Sequence, residues 1–210
     1  MGLISLLFSN PVMFIALAVL LLYSVIAHEV AHGWIAYLFG DDTARRYGRL
    51  TLKPASHIDL IGTLMLFIVG FGWAKPVPVN YSRLKNYRYG FMSVALAGCA
   101  TNILIAVIAL FLLQFENTNA YPVSYALLTI VARINIILGA FNLIPIPPLD
   151  GSKVLMSFLP QDAQQQLAKL EPYGFFLLAI LLFTGYLRPV IDFMEHAIYG
   201  FIALLFKTFV

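Results

Sequence analysis

The chain has 210 residues, 61% of them hydrophobic and 11% charged, with a formal net charge of +3. Soluble domains carry about a quarter charged residues, so this composition, with a mean hydropathy of +0.87, excludes an ordinary water-soluble domain and indicates a membrane protein in the lipid bilayer. The small positive charge gives no reason to expect a nucleic-acid partner, and the single cysteine, Cys99, excludes an internal disulfide and a cysteine-type zinc site.

Five apolar regions follow along the chain, where a helix needs about 20 residues to span a bilayer. The first, residues 11–39, contains no Lys, Arg or Asp. It is long enough to span with a tilt or to project beyond the bilayer. The N-terminus lacks the basic region of a cleavable signal peptide, so this segment is expected to stay. Within it stands His28-Glu29-Val30-Ala31-His32. On a helix, two imidazoles four residues apart share one face, where both can hold one Zn²⁺. Glu29 lies beside them, placed to take a proton from water. Ionisable groups in hydrocarbon are costly and mark a site by default. The motif in this setting predicts one zinc ion per chain and hydrolysis of peptide bonds within the membrane.

The second apolar region, residues 58–73, is short and interrupted by glycine. The third covers residues 90–115, and the fourth, 122–146, ends in a proline cluster. The fifth begins near Tyr173, breaks at Arg188-Pro189 and resumes to about Phe206. No internal repeat or low-complexity tract is evident. The predicted fold is an all-α polytopic membrane protein with about four to six transmembrane helices. A re-entrant hairpin and a short extended segment lie between the first and second full spans. The whole chain, 1–210, forms one membrane-embedded domain, with a core over 11–158 and C-terminal helical segments over 173–206.

Basic residues orient these segments. None precedes Arg45; Arg45, Arg46, Arg49 and Lys53 follow the first helix, and Lys75, Arg83, Lys85 and Arg88 follow the second segment. Residues 114–121 contain no basic residue and carry Glu116. The positive-inside rule puts the N-terminus outside and both 41–57 and 75–89 in the cytoplasm. Both flanks of 58–73 then face one side, which requires a re-entrant hairpin shielded by protein or lining a wet cavity. At 1.5 Å per residue, His32 lies roughly 10 Å short of the Phe39 end. The metal is therefore expected in the cytoplasmic third of the membrane.

A catalytic zinc usually takes three protein ligands and keeps a position for water. His57, His196 and several carboxylates are candidates for the third. The best placed is Asp150, in Asn142-Leu-Ile-Pro-Ile-Pro-Pro-Leu-Asp150-Gly151 at the cytoplasmic end of the fourth helix. Pro145, Pro147 and Pro148 prevent regular helix there and favour an extended chain. The placement alone leaves two roles open: metal ligand, or N-cap of a helix over 152–158.

HEVAH in a first membrane helix, with NLIPIPPLDG at the end of a later one, resembles the site-2 protease family of intramembrane zinc metalloproteases. The chain is similar to the compact bacterial members without an appended PDZ or CBS domain. The resemblance runs from about residue 10 to 160. It includes Gly48-Arg-Leu-Thr-Leu, Ile61-Gly-Thr-Leu, Gly72-Trp-Ala-Lys-Pro-Val-Pro-Val-Asn80 and Ala97-Gly-Cys-Ala-Thr-Asn102. It implies zinc on His28, His32 and Asp150, with Glu29 as general base, and favours the ligand role of Asp150. Two positions depart from the family pattern: Gly98-Cys99 replaces Gly-Pro, and Asp59-Leu60 replaces Asp-Pro.

Asn102 and Asn142 are uncharged donors inside apolar helices. The family suggests that Asn102 faces the site. Either can hydrogen-bond the substrate carbonyl or the developing oxyanion, or serve as glue between helices. Lys75, Pro76, Val77, Pro78, Val79 and Asn80 read as an extended segment. Its edge can hold an unwound substrate by main-chain pairing, with gaps at the prolines. The other reading is a rigid interfacial loop. Arg133 sits mid-segment, where a charge is costly, and can snorkel, line a wet cavity or pair with Glu116. Asn135 can share that cavity. His57 and His196 read as structural, and Cys99 as a packing residue.

These features predict a zinc metalloendopeptidase in a bacterial cell membrane. Its expected substrate is a single-span membrane protein or a remnant peptide, cut near its cytoplasmic end. Release of a cytoplasmic signalling fragment is the family's usual outcome. Two alternatives are a zinc transporter and a non-proteolytic protein that binds membrane helices. A transporter needs several ligand clusters along a path, and the intact HExxH and LDG argue against a lost activity.

Overall fold

The computed structural model describes residues 7–60, 62, 64, 74–115 and 122–209. Its helices are α1 (Pro11–Leu38), α2 (Thr43–Arg46), α3 (Tyr87–Leu113), α4 (Pro122–Asn142), α5 (Asp150–Met156), α6 (Gln161–Ala168), α7 (Glu171–Phe183) and α8 (Arg188–Phe209). No strand occurs among the described residues. Among them, α1, α3, α4 and α8 are long and apolar enough to cross a membrane. The chain is a multi-pass membrane protein, as its composition requires.

Helix α1 starts on Asn10, whose side chain accepts from the Met13 N–H at 3.1 Å, with Pro11 at the first helical position. Its 28 residues extend about 42 Å at 1.5 Å each, beyond a hydrocarbon core of about 30 Å. The helix must therefore tilt or project. It ends where Gly40 turns at φ +99° and the Asp41 N–H returns to the Ala36 carbonyl at 2.9 Å.

The buried face of α1 includes a stripe at four-residue spacing, Ser24, His28, His32 and Ala36. The buried face of α3 carries Val94, Ala95, Gly98, Asn102 and Ala106. Lipid tails give helices no hydrophobic reason to associate, so close packing through small residues takes that role. Helix α3 is the centre of the bundle, packed on α1, α4 and α5. Helix α8 lies on α4, with Ile198 and Ile202 clustered against Ala106, Ile136 and Ala140.

The fifth apolar region is two helices, α7 and α8, with α8 opening at the expected break, Arg188-Pro189. α6 and α7 meet at a 58° bend, and Gly185 makes a turn at φ +76° before α8. Leu178 of α7, Leu187, and Ile144 and Leu149 beyond α4 form one buried cluster. Helix α8 therefore leaves from the Asp150 end of the bundle and runs toward the end of α3, where Phe206 meets Phe111. Most of the predicted re-entrant hairpin, and Glu116, lie outside the described residues.

Candidate metal centre

The 3.6-residue helical period brings His28 and His32 to one face of α1, and both rings are buried against α3. Their Nε2 atoms are 3.1 Å apart. Asp150 Oδ2 lies 3.0 Å from His28 Nε2 and 3.1 Å from His32 Nε2. Across more than a hundred residues of sequence, the fold thus gathers one atom from each of the three predicted ligands within 4.8 Å.

Their hydrogen bonds decide what these atoms can do. His28 Nδ1 is 2.6 Å from Asn102 Oδ1, and His32 Nδ1 is 2.7 Å from the Val94 carbonyl. Both partners only accept, so each Nδ1 carries the proton of the neutral ring. Each Nε2 then turns a lone pair inward. Asp150 Oδ2 is buried without a hydrogen-bond donor. Three lone pairs converging without a proton are mutually repulsive, and a cation resolves the conflict. The donor set, two imidazoles and one carboxylate, fits Zn²⁺ with an open position. The neighbouring helix makes room: a Cβ on Gly98 would lie 2.4 Å from His28 Cε1 and 2.5 Å from His32 Nε2. Only glycine fits there.

Asp150 opens α5, but the capping position belongs to Leu149, so its carboxylate turns to the imidazoles instead. Gly151 allows the turn, since a Cβ there would lie 2.2 Å from the Leu143 carbonyl oxygen. Gly174 of α7 approaches the same loop, its hypothetical Cβ 2.1 Å from the Pro147 oxygen. Lys153 Nζ is 3.6 Å from Asp150 Oδ1. Burial pulls its ammonium down, but Tyr81, Asp150, Glu171 and Glu29 outweigh this and hold it above the ordinary lysine value. It remains a cation beside the ligand.

Glu29 is half-buried, and its Oε2 accepts from the Val77 N–H at 2.9 Å. Residues 75–80 form neither helix nor strand and are tied down along their length by α1 and the residues after it. Lys75 N–H donates to the His57 carbonyl at 2.8 Å, Arg49 Nη2 to the Lys75 carbonyl at 2.7 Å, and Asn80 N–H to Asp41 Oδ2 at 2.6 Å. The Lys75, Val77 and Asn80 donors are therefore engaged, and Pro76 and Pro78 have none. This leaves little of the N–H edge expected for substrate pairing. Asp41 is fully buried and also accepts from Thr43; the sequence reading missed it because acids just after a helix are commonplace.

The other candidates separate cleanly. Asn102 is fully buried behind His28, with Oδ1 on the imidazole and Nδ2 donating to Asn135 Oδ1 at 2.8 Å. Its amide is engaged at both ends, so it supports a ligand rather than presenting a donor to a substrate carbonyl. Asn142 donates back to the Leu138 carbonyl of its own helix at 3.0 Å. His57 is fully buried with Nε2 on the Thr51 carbonyl, and His196 is exposed with Nδ1 near the Asp192 carbonyl. Neither joins the triad. Arg133 is exposed on α4. Cys99 is buried, and α3 continues unbroken through the position where the family has proline.

Comparison with known proteins gives the family of the chain. The chain is 38% identical over 175 residues to "Putative zinc metalloprotease YwhC" of Bacillus subtilis, covering 80% of each protein. It is 29% identical over 168 residues to the identically described Rip2 of Mycolicibacterium smegmatis, covering 78% of this chain and 64% of that protein. The "Site-2 Protease from Methanocaldococcus jannaschii" is a more distant structural likeness, with a TM-score of 0.46 and 19% identity over 96% of this chain and 83% of that one. The model of Peptidase family M50 matches residues 117–184, a stretch that contains α4 and Asp150. From the length and identity of the first match, this chain belongs to peptidase family M50, the site-2 protease family of metalloproteases.

Proposed function

We propose that the protein is a zinc-dependent intramembrane endopeptidase that hydrolyses membrane-spanning substrates near the cytoplasmic face, as a step of regulated intramembrane proteolysis. The observation that carries this reading is the convergence of His28 Nε2, His32 Nε2 and Asp150 Oδ2 between apolar helices, one residue from Glu29. The relatives described as zinc metalloproteases support the choice of metal. The distribution of Lys and Arg supports a cytoplasmic depth for the site, and the bacterial relative YwhC supports a bacterial cell membrane as its place.

His28, His32 and Asp150 would hold the ion, which when bound supplies Lewis acidity that polarises a carbonyl and acidifies water. Glu29 accepts the proton of the attacking water and passes it to the departing amine. The Val77 N–H holds the Glu29 carboxylate in place while it does so. Gly98 and Asn102 keep the rings where both Nε2 atoms face inward. No covalent enzyme intermediate is required. The substrate is a single-span membrane protein or a remnant of one, locally unwound to expose its peptide bonds.

The test is cleavage of a tagged panel of single-span proteins by purified protein in detergent, beside Glu29→Gln, with zinc content measured for both. Cleavage by the wild type alone, with zinc in both, is the expected result. A folded wild type that holds no zinc would remove the reading.

A further inference from the structure

Resting on that metal reading, we infer that Asn135 of α4 is a positioning residue for the metal centre, acting through Asn102 to fix the protonation geometry of His28. His32 is anchored directly on backbone, at the Val94 carbonyl. His28 is anchored on a side chain, Asn102, whose amide has two possible orientations. The Ser24 carbonyl, 3.4 Å from Asn102 Nδ2, favours the nitrogen on that side but lies at the edge of hydrogen-bond length, so a shorter partner must decide which end faces the ring.

Asn135 makes that decision. Its Nδ2 donates to the Val131 carbonyl and to Ser24 Oγ, both at 2.9 Å. A backbone carbonyl only accepts, so the Asn135 amide cannot turn over without setting oxygen against oxygen. Its Oδ1 must then face Asn102, 2.8 Å from Nδ2. Asn102 must therefore give its nitrogen to Asn135 and its oxygen to His28. The His28 proton is forced onto Nδ1, and the Nε2 lone pair is free for the ion. The polarity of the site is thus set by a directed line of donors from α1 through α3 to α4. Asn102 and Asn135 are fully buried, and Ser24 is buried. No solvent intervenes to soften a wrong orientation, and an unmade hydrogen bond in hydrocarbon is costly. Partners one bond beyond a ligand typically change metal affinity by 10- to 100-fold when removed.

The test is Co²⁺ binding to purified, metal-stripped protein in detergent, read as affinity and as the visible absorption band of the bound ion. Asn135→Leu removes both polar ends and, acting one step further out than the partners that touch a ligand, is expected to weaken Co²⁺ by up to roughly 10-fold and to shift the band. Asn135→Asp is the conservative control. Buried beside the Val131 carbonyl, its carboxyl stays protonated, donates there and accepts from Asn102, so the direction of the line survives. Affinity close to wild type is expected. A folded Asn135→Leu with wild-type affinity and spectrum would overturn the inference, as would a folded Asn135→Asp as weak as Asn135→Leu. ¹⁵N spectra of the histidines in the wild type give a reading independent of whether any variant folds: His28 with its proton on Nε2 also overturns it. A wild type that binds no Co²⁺ removes the proposed function and this inference together, whereas normal wild-type binding with an unaffected Asn135→Leu removes the inference alone.

Discussion

The backbone N–H of Val77 donates to Oε2 of Glu29 at 2.9 Å, across 48 residues of sequence. A main-chain donor cannot rotate away as a side chain can, and this one is flanked by the prolines 76 and 78 and tethered at Lys75 and Asn80. Val77→Pro removes the donor while keeping an apolar residue. A hydrogen bond to a charged group contributes about 1.5–3 kcal/mol, so kcat is expected to fall roughly 10- to 100-fold with zinc content unchanged. Full activity in a folded Val77→Pro would show that Glu29 is oriented by something else.

Glu29→Gln keeps the volume and removes the base. Positioned proton transfer contributes about 10²- to 10⁴-fold, and peptide cleavage should drop by at least that much. Zinc should stay at the wild-type level, because Glu29 is not among the three converging ligands. Loss of zinc in this variant would instead make Glu29 part of the metal's support.

Gly98→Ala places a methyl group 2.4–2.5 Å from both imidazoles. The rings are buried between two packed helices and have nowhere to retreat. The expected outcome is loss of bound zinc, measured per folded molecule, with cleavage lost in parallel. Gly200→Ala on α8 is the control, since a Cβ there meets nothing within 4 Å; it should retain zinc and activity.

Chelation should abolish cleavage and zinc should restore it. Because the ion joins α1 to α5, it should also stabilise the bundle: a ligand present at a hundred times its Kd contributes about 2.7 kcal/mol. A thermal melt in detergent, with and without zinc, measures this. Asp150→Ala should show little zinc-dependent shift, while a shift equal to that of the wild type would exclude Asp150 as a ligand.

The site was legible where its logic is local. His28 and His32 sit on one helix, and four-residue spacing fixes their shared face whatever surrounds them. Asp150 was legible by depth, although only the fold shows that Leu149 takes the capping position. For Asn102 two roles stayed open, a donor to substrate and glue between helices, and its contacts are of the second kind. Its partners His28 and Asn135 lie on two other helices, and no periodicity reports which end of an amide faces which neighbour. Residues 75–80 form no helix, in keeping with their prolines. Their donors are captured by Glu29, Asp41 and the His57 carbonyl, contacts that no local pattern encodes. The path beyond residue 173 depended on the bend before α7 and the turn at Gly185, which hydropathy alone cannot distinguish from a kinked span.

His32 and Asp150 stand 118 positions apart (150 − 32), and that separation orders events during synthesis. The ribosome delivers the two imidazoles and the base with the first span. The carboxylate follows only after the helices that form the centre of the bundle have been made. A half-built chain therefore carries HEVAH without the means to hold its ion firmly. The three-ligand set is therefore complete only once α5 has docked against α1.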